Sequence, residues 1–576
     1  MSVSVAALQA RAQAWIAQDP DEVSRAELLA VSERADPAEL ADYVGSELSF
    51  GTAGLRGLLG PGPNRMNYAV VMRTSLGIAQ QVTARTRGAE PRLVVIGHDA
   101  RRQSPEFALI AARVFAAAGL RVLVFPALTS TPLVSFAVAE VGAAAGVMIT
   151  ASHNPADYNG YKVYGDDGAQ IRAPLDLAIA SAIASGPGAS DIPLLELDEA
   201  RRAGAIASLS PAVIERYFQG IAELARAHPA KPYPLRIVYT PLHGVGHPFA
   251  SRALLEAGFA DVRAVPEQVQ PDGRFPSCRF PNPEEPGVLA LALKLAQEAQ
   301  ADLVLANDPD ADRLAVAVPD GQGGFVQLTG NQVGVVLGHF LLSAVPVPPA
   351  SRFVVSTIVS SPMLGEIARV LGVRYEETLT GFKWIVARAL EQERQGMRFV
   401  FGYEEAIGYT VGDLVRDKDG VSAAVMFARL CADCLARGTT VLGYLDELYR
   451  LYGLHISAQR NLSMTGGSAG ERCAAMMKQL REEPPKTIGG FAVEARRDYA
   501  QGGKLPPSDV LSYWLHGGTR VVVRPSGTEP KVKIYIDHRE EVAQGEPLAL
   551  ARARASARVL AVHNDLPRVL PGFPVS

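Results

Sequence analysis

Four short polar runs, far apart along one chain, carry residue types suited to moving phosphate. They are TASHNP (Thr150–Pro155), DPDADR (Asp308–Arg313), GYEEAIG (Gly402–Gly408) and RPSGTEPK (Arg524–Lys531). In that order they offer a hydroxyl nucleophile, a carboxylate nest for a divalent cation, a carboxylate pair for sugar hydroxyls and an anion cradle. A chain with all four is expected to be an enzyme that moves phosphate on a sugar.

In the first run Ser152 follows the apolar stretch Gly146-Val147-Met148-Ile149 and precedes Asn154-Pro155. Pro155 keeps its predecessor extended, which is expected to stiffen the turn and present the hydroxyl outward. Serine at its ordinary pKa is a weak nucleophile and needs a base or a metal beside it. His153 and Lys162 are both candidates for the base. The plain alternative is a serine capping a helix that begins near Pro155. Ser152 does not sit in a G-x-S-x-G elbow, having Thr150 and Asn154 two positions to either side, so an esterase acting through it is not favoured.

Asp308, Asp310 and Asp312 occupy alternate positions, which an extended backbone would turn to one side. Carboxylates that close repel unless a cation sits among them. A solvated acidic loop is the alternative, but such a loop rarely follows a buried strand such as Leu303-Val304-Leu305. An EF-hand would need glycine and glutamate where Arg313 and Pro319 stand. Mg²⁺ is therefore the expected ion, and Arg313 suits a bidentate phosphate contact.

Glu404 and Glu405, between Gly402 and Gly408, are acceptor-only groups suited to vicinal hydroxyls; taken alone they read as an exposed acidic pair. RPSGTEPK offers Arg524, the hydroxyls of Ser526 and Thr528, N–H groups freed by Gly527, and Lys531. A simple turn between two strands fits it equally well.

The elements that must position these runs follow a repeated grammar. Arg92–Ile96, Arg121–Phe125, Val147–Ile149, Arg236–Tyr239, Asp302–Leu305, Phe353–Ser356 and Phe399–Phe401 read as short strands, each leading to a turn and then a helical pattern. That predicts an α/β fold with mostly parallel sheets and ligands at the carboxyl ends of strands. Beyond Ala475 the pattern changes, and Arg520–Val523 and Val532–Asp537 predict two strands around the last motif in a smaller α+β domain. The expected division is a helical extension over 1–45, then domains over 46–212, 213–328, 329–455 and 456–576.

Composition sets the limits. A chain of 576 residues exceeds one hydrophobic core. Net charge of −4 gives no footprint for nucleic acid or an anionic membrane. The apolar stretch around Val333–Val347 is broken by His339 and Ser343 and reads as a buried helix. The start, MSVSVAALQARAQAW, has no basic segment followed by an apolar run, so the cytoplasm is the expected compartment. Four cysteines imply no disulfide framework, and Cys431 and Cys434 read as two small apolar residues on one helix.

With these runs in view, and with FGTAGLRG (Phe50–Gly57), YTPLHGVG, PNPEE and TGFKW (Thr380–Trp384), the chain resembles the α-D-phosphohexomutase family over nearly its whole length. FGTAGLRG, TGFKW and GYEEAIG are most similar to the phosphoglucomutase-2 and phosphopentomutase branch. The resemblance implies four domains around a central cleft, a phosphoserine at Ser152, and Mg²⁺ held by it with Asp308, Asp310 and Asp312. It implies acid/base or charge-stabilising roles for Arg56, His153, Lys162 and Arg313, and sugar contacts from Glu404 and Glu405. Arg524, Ser526, Gly527 and Thr528 would hold the phosphate not being transferred, with Lys383 contributing to sugar or phosphate binding. Ala406 departs from the serine that many hexose mutases carry there, which leaves the preferred sugar open.

The expected reaction is reversible exchange between the 1- and 6-phosphates of an aldohexose, glucose first, through a sugar bisphosphate. Mannose, N-acetylglucosamine and pentose phosphates, or synthesis of a sugar bisphosphate, are alternatives on the same scaffold. Glucose 1,6-bisphosphate is the expected activator, and the partners are a small phosphosugar and at most a second copy of the chain, as monomer or homodimer, with no nucleic acid or membrane. A phosphatase using Asp308 or Asp310 as nucleophile would leave Ser152 and RPSGTEPK without roles. A non-catalytic sugar-phosphate sensor would be expected to have lost the serine or an aspartate, and all are present.

Overall fold

The computed structural model describes residues 4–50, 54–85, 92–228, 230–344, 348–464, 469–526 and 531–570. They form two units, Met1–Gln327 with Gly408–Ala432, and Leu328–Ile407 with Asp433–Ser576.

The first unit opens with helices Val5–Ile16, Glu22–Arg34 and Pro37–Val44. Ser4, Asp21 and Asp36 cap them by accepting first-turn N–H bonds, as short polar side chains do at helix starts. Leu8, Ala12, Trp15, Leu28 and Leu40 of these helices join the same apolar core as Val94, Ile96 and Val147 of the first sheet. That sheet runs in the order Leu55–Leu58, Tyr158–Tyr164, Ala145–Ile149, Leu93–His98, Arg121–Val124, Ile206–Ser208. Its last four strands are mutually parallel and its first two antiparallel to their neighbours. A second sheet is ordered Phe325–Gln327, Ala315–Pro319, Leu303–Ala306, Arg236–Thr240, Asp261–Ala264. Here too a parallel trio carries an antiparallel flank.

This corrects the strand-turn-helix grammar at the two places that matter most. TASHNP leads into strand Tyr158–Tyr164 and DPDADR into strand Ala315–Pro319, each paired antiparallel with the strand before the turn. The downstream stretches YNGYKVY and AVAVP are rich in aromatic and β-branched residues, which favour a pleated surface over a helix. It also rules out Ser152 as a helix cap.

In the second unit, strands Arg374–Thr378, Arg352–Thr357 and Arg398–Glu404 pair in parallel and are packed by helices Gly330–Ala344, Met363–Val370 and Phe382–Glu393. The last part is an antiparallel sheet ordered Leu454–Ser463, Lys531–Glu540, Thr519–Pro525, Leu511–Leu515, Phe491–Asp498, Thr487–Ile488, covered by helix Leu548–Val569. The fold is thus α/β, with mixed and mostly parallel sheets first and a smaller α+β domain at the end. All four cysteines are buried and free, and Cys431 and Cys434 lie in helix Gly420–Ala436. No helix among the described residues is long and apolar enough to cross a membrane.

Candidate active site

The TASHNP turn is wound tightly. Ser152 has φ 52°, its N–H donates to Thr150 Oγ1 at 2.9 Å, and the Asn154 N–H donates to the Ala151 carbonyl at 3.1 Å. A left-handed serine is uncommon and persists only where its surroundings hold it. Here the holder is Arg101, whose guanidinium donates to the carbonyls of Ser152 (2.7 Å), Pro155 (2.8 Å), Tyr158 (3.1 Å) and Asn154. Arg101 is itself fixed by Asp99, 3.4 Å from its Nε, and Asp99 also accepts from Ser104 at 2.7 Å. Burial lowers the Arg101 pKa to about 10 despite Asp99, so it keeps its charge. The Ser152 hydroxyl is consequently not outward as expected. It is 2% exposed and donates to Asp308 Oδ2 at 2.7 Å, with His153 Nδ1 at 3.2 Å.

The aspartates converge through a turn, not along an extended strand. The Ala311 N–H donates to the Asp308 carbonyl at 2.9 Å and Ala311 has φ 57°, folding the three carboxylates inward. One oxygen from each lies within 4.8 Å of the others, and all three residues are buried. Gly244 makes room for this turn, since a Cβ there would stand 2.3 Å from Pro309 Cα.

Cations surround the nest. Lys162 Nζ lies 2.7 Å from Asp310 Oδ2 and 2.8 Å from Asp312 Oδ2. Thr131 Oγ1 donates to Asp310 at 2.6 Å. Lys418 Nζ is 3.3 Å from Asp312 Oδ2, and Arg313 Nε is 4.0 Å from Asp308 Oδ2 and 3.9 Å from Asp312 Oδ1. Arg56, on strand Leu55–Leu58, donates from Nη1 to Asn154 Oδ1 at 3.0 Å. Even so, among the described residues Asp310 Oδ1 and Asp312 Oδ1 are buried without a hydrogen-bond partner. Buried carboxylate oxygens that accept no hydrogen bond, beside an alcohol on the third carboxylate, fit a hard divalent cation.

The titrations follow from this packing. Burial, then Asp310 and Asp312, raise the Asp308 pKa well above its ordinary value. Burial also opposes the charged forms of Asp310 and Asp312, but Lys162 outweighs it at both and Lys418 helps at Asp312, so both are lowered. Lys162 is raised because Asp310 and Asp312 overcome its desolvation. Desolvation, then Arg313 and Arg56, hold the His153 pKa well below its ordinary value.

In the second unit Glu404 ends strand Arg398–Glu404 and is buried, and Glu405 Oε2 accepts from Thr357 Oγ1 at 3.3 Å and Ser360 Oγ at 3.4 Å. Arg524 lies on strand Thr519–Pro525, and the Ser526 N–H closes the hairpin onto the Lys531 carbonyl at 2.7 Å. Buried Tyr535 packs with Val522, Ile358, Val359 and Leu379, and burial followed by the charge of Glu405 raises its pKa. Lys383 is buried in the first turn of Phe382–Glu393, its ammonium group 5.3 Å from the Trp384 ring centroid. Gly527 and Thr528 lie outside the described residues. Within the first unit, then, Ser152, His153, Lys162, Arg56, Arg313 and the three aspartates form one cluster; within the second, Glu405 is held by Thr357 and Ser360, and Glu404 and Glu405 are both close enough to Tyr535 for their charges to act on it.

Residues 47–188, 215–322 and 329–452 match the phosphoglucomutase/phosphomannomutase alpha/beta/alpha domains I, II and III, and 476–554 match that family's C-terminal domain. The chain belongs to the phosphoglucomutase/phosphomannomutase family. It is 40% identical over 480 residues to a probable phosphomannomutase of Haemophilus influenzae, covering 82% of this chain and 93% of the relative. It is 38% identical over 555 residues to a probable phosphoribomutase of Schizosaccharomyces pombe (92% and 93% covered). Against the phosphopentomutase of Homo sapiens it is 35% identical over 555 residues (91% and 90% covered). A solved phosphoglucomutase/phosphomannomutase family protein from Burkholderia thailandensis shares the fold, with TM-score 0.66 and 20% identity over 91% of this chain and 98% of that one. The phosphomutase is an intramolecular phosphotransferase of the α-D-phosphohexomutase class.

Two residues of the phosphomutase site escape the sequence reading. Arg101 belongs to GHDARRQSPEF, whose position after a strand was its one signal. Lys418 belongs to RDKDG, a charged run between strand Gly408–Val411 and helix Gly420–Ala436. Nothing in either run says which charge turns inward.

Proposed function

We propose that this phosphomutase interconverts the 1- and 6-phosphates of an aldohexose, glucose first, through a phosphoserine at Ser152 and a sugar bisphosphate. The observation that carries the reading is the buried hydrogen bond from Ser152 Oγ to Asp308 Oδ2 at 2.7 Å, which sets an alcohol at the edge of a cation-ready nest.

Asp308, Asp310, Asp312 and the phosphorylated Ser152 would hold Mg²⁺. When bound, the ion supplies neutralisation of charge on the transferring phosphoryl group. Arg313 and Arg56 add fixed positive charge around the same atoms, in a site that needs no reorganisation as charge moves. His153, neutral and with Nδ1 3.2 Å from Ser152 Oγ, is the group able to accept a hydroxyl proton. Lys162 stays an ammonium group and serves as charge stabiliser and proton donor.

In the forward half-reaction the sugar hydroxyl oxygen bonds to phosphorus, the bond to Ser152 Oγ breaks, and the hydroxyl proton goes to the base. The return half-reaction takes the other phosphate back to Ser152. Glu404 and Glu405 would take sugar hydroxyls, and Lys383 would contribute to sugar or phosphate binding. Arg524, Ser526, Gly527 and Thr528 would grip the phosphate not being transferred. Glucose 1,6-bisphosphate is the proposed activator because it restores phosphate to Ser152 after loss to water.

A second reading, exchange between the 1- and 5-phosphates of a pentose, is favoured by the two relatives named for ribose and pentose phosphates, at 38% and 35% identity. Ala406, which offers no hydroxyl to a sugar, agrees with it. A panel of hexose and pentose 1-phosphates assayed with Mg²⁺ and a trace of the matching bisphosphate tests both. Glucose 1-phosphate conversion with the highest kcat/KM supports the first reading, ribose 1-phosphate the second, and no conversion of any sugar phosphate overturns both.

A further inference from the structure

Strand Thr519–Pro525 carries the proposed phosphate grip at its end, and its alternate residues face two different cores. Val521 and Val523 pack into the core of the C-terminal sheet. Val522 packs instead with Ile358, Val359 and Leu379, which belong to the preceding parallel-sheet domain of the same unit. Arg520 and Arg524 share the Val522 face, because side chains two and four positions apart on a strand point the same way.

Arg520 is 7% exposed and spans the junction. Its Nη2 donates to the Ser360 carbonyl at 2.6 Å and to Asp537 Oδ2 at 2.9 Å, and its Nη1 donates to Glu377 Oε1 at 3.3 Å. Asp537 is the cross-strand neighbour of Arg520, and its second oxygen accepts from Ser457 at 2.6 Å. Ser457 lies on Leu454–Ser463, the strand by which the chain enters the C-terminal sheet. On the other side of Arg520, the hydroxyl of Ser360 reaches Glu405 Oε2 at 3.4 Å. One guanidinium thus joins the residue that supports the sugar loop to the strand that carries Arg524 and leads to Ser526.

Resting on the mutase reading above, we propose that Arg520 is a positioning residue. It fixes the distance between Glu405 and Arg524, and so the length of phosphosugar that the second unit accepts. A guanidinium suits this task because its rigid fork can bond a carbonyl and two carboxylates at once, which an ammonium group cannot match.

The test is calorimetric binding of glucose 1,6-bisphosphate to the full chain and to Arg520→Met, Arg520→Lys, Arg524→Met and the Arg520→Met/Arg524→Met double variant. The expected result is a loss of affinity of about tenfold or more for Arg520→Met, partial rescue by Lys, and a double variant about as weak as Arg524→Met alone. Magnesium affinity at the aspartates of the first unit stays unchanged, and circular dichroism with a thermal melt reports intact folding of the second unit. Binding by Arg520→Met within about twofold of the unchanged chain, or losses that simply add in the double variant, overturns the proposal. Should Arg520→Met not fold, Arg520→Lys and Asp537→Asn give the same reading with a smaller expected loss, and unchanged affinity in both overturns it. Turnover by the unchanged chain is scored separately. Its absence counts against the mutase reading, whereas a working mutase indifferent to residue 520 counts against this inference alone.

Discussion

Ser152 and Asp308, separated by 156 positions in sequence, share a 2.7 Å hydrogen bond with 2% and 0% of their surfaces exposed. An alcohol held inside the protein on a carboxylate of raised pKa does no structural work that a helix cap or a surface turn would need. It does suit an oxygen that carries phosphate next to a cation.

Replacing that carboxylate should separate stability from function. The folded-state pKa of Asp308 is raised above 3.8, so its favourable contribution is present below about that pH and lost as pH rises through the folded value. Burial and the neighbouring Asp310 and Asp312 therefore make the charged form of Asp308 costly in the cation-free protein. Asp308→Asn should raise the melting temperature in chelator by about 2–4 °C, abolish the stabilisation that Mg²⁺ gives, and remove turnover. Thermal melts with and without Mg²⁺ check all three; a lower melting temperature in chelator contradicts the account.

Arg101 should matter to rate more than its distance from the chemistry suggests. Arg101→Lys keeps a charge near Asp99 but cannot reach four carbonyls, so the left-handed turn at Ser152 loosens. We expect kcat/KM to fall about 100-fold with the phosphosugar mutase still folded. Steady-state kinetics with a circular dichroism control measures this, and a loss below about threefold would show that the turn stands without its clamp.

His153 should not impose an ordinary histidine transition on activity. Its folded pKa is depressed, so its contribution to stability is present above about 6.5 and is lost as pH falls towards the lower folded value. A pH profile of kcat/KM is expected to lack a His153 inflection near 6.5, while His153→Gln lowers the whole profile by about 10- to 100-fold. Below pH 6.5 the melting temperature of the unchanged chain should fall relative to His153→Gln. An inflection near 6.5 that vanishes in the variant would contradict the neutral buried ring.

Lys418 competes electrostatically with any cation at Asp312, from 3.3 Å. Lys418→Met should therefore bind Mg²⁺ several-fold more tightly, by about threefold to tenfold, and yet turn over more slowly because a fixed charge around the phosphoryl group is gone. Calorimetry and kinetics on one preparation decide it; weaker Mg²⁺ binding would show that Lys418 braces the nest instead.

The sequence made the parts of the site legible because each part is a local run. Ser152, the three aspartates and Arg313 sit in short motifs at the ends of buried apolar strands, and the strand grammar put those ends together. What it hid was the local geometry. The pleat of an extended chain would bring Asp308, Asp310 and Asp312 to one side, whereas a turn through Pro309 and Ala311 does so. Periodicity could not see the antiparallel strands after TASHNP and DPDADR, since a short aromatic or β-branched run fits several pairings until its neighbour is known.

Arg101 and Lys418 stayed hidden for a different reason. Each lies in a charged run that would look the same on a solvated loop, and only the fold determines that it is buried against Ser152 or Asp312. Arg520 is the extreme case. Its strand reads as TRVVVRP, and the face on which Arg520 lies is decided by the domain that packs against Val522.

The most direct measurement is to mix the unmodified protein with Mg²⁺ and glucose 1,6-bisphosphate labelled with radioactive phosphate, quench, and map the labelled peptide, with Ser152→Ala beside it. The account predicts label on Ser152, chased into sugar monophosphate by unlabelled substrate, and neither label nor turnover in Ser152→Ala. Label on Asp308 or Asp310, or undiminished turnover by Ser152→Ala, would contradict it.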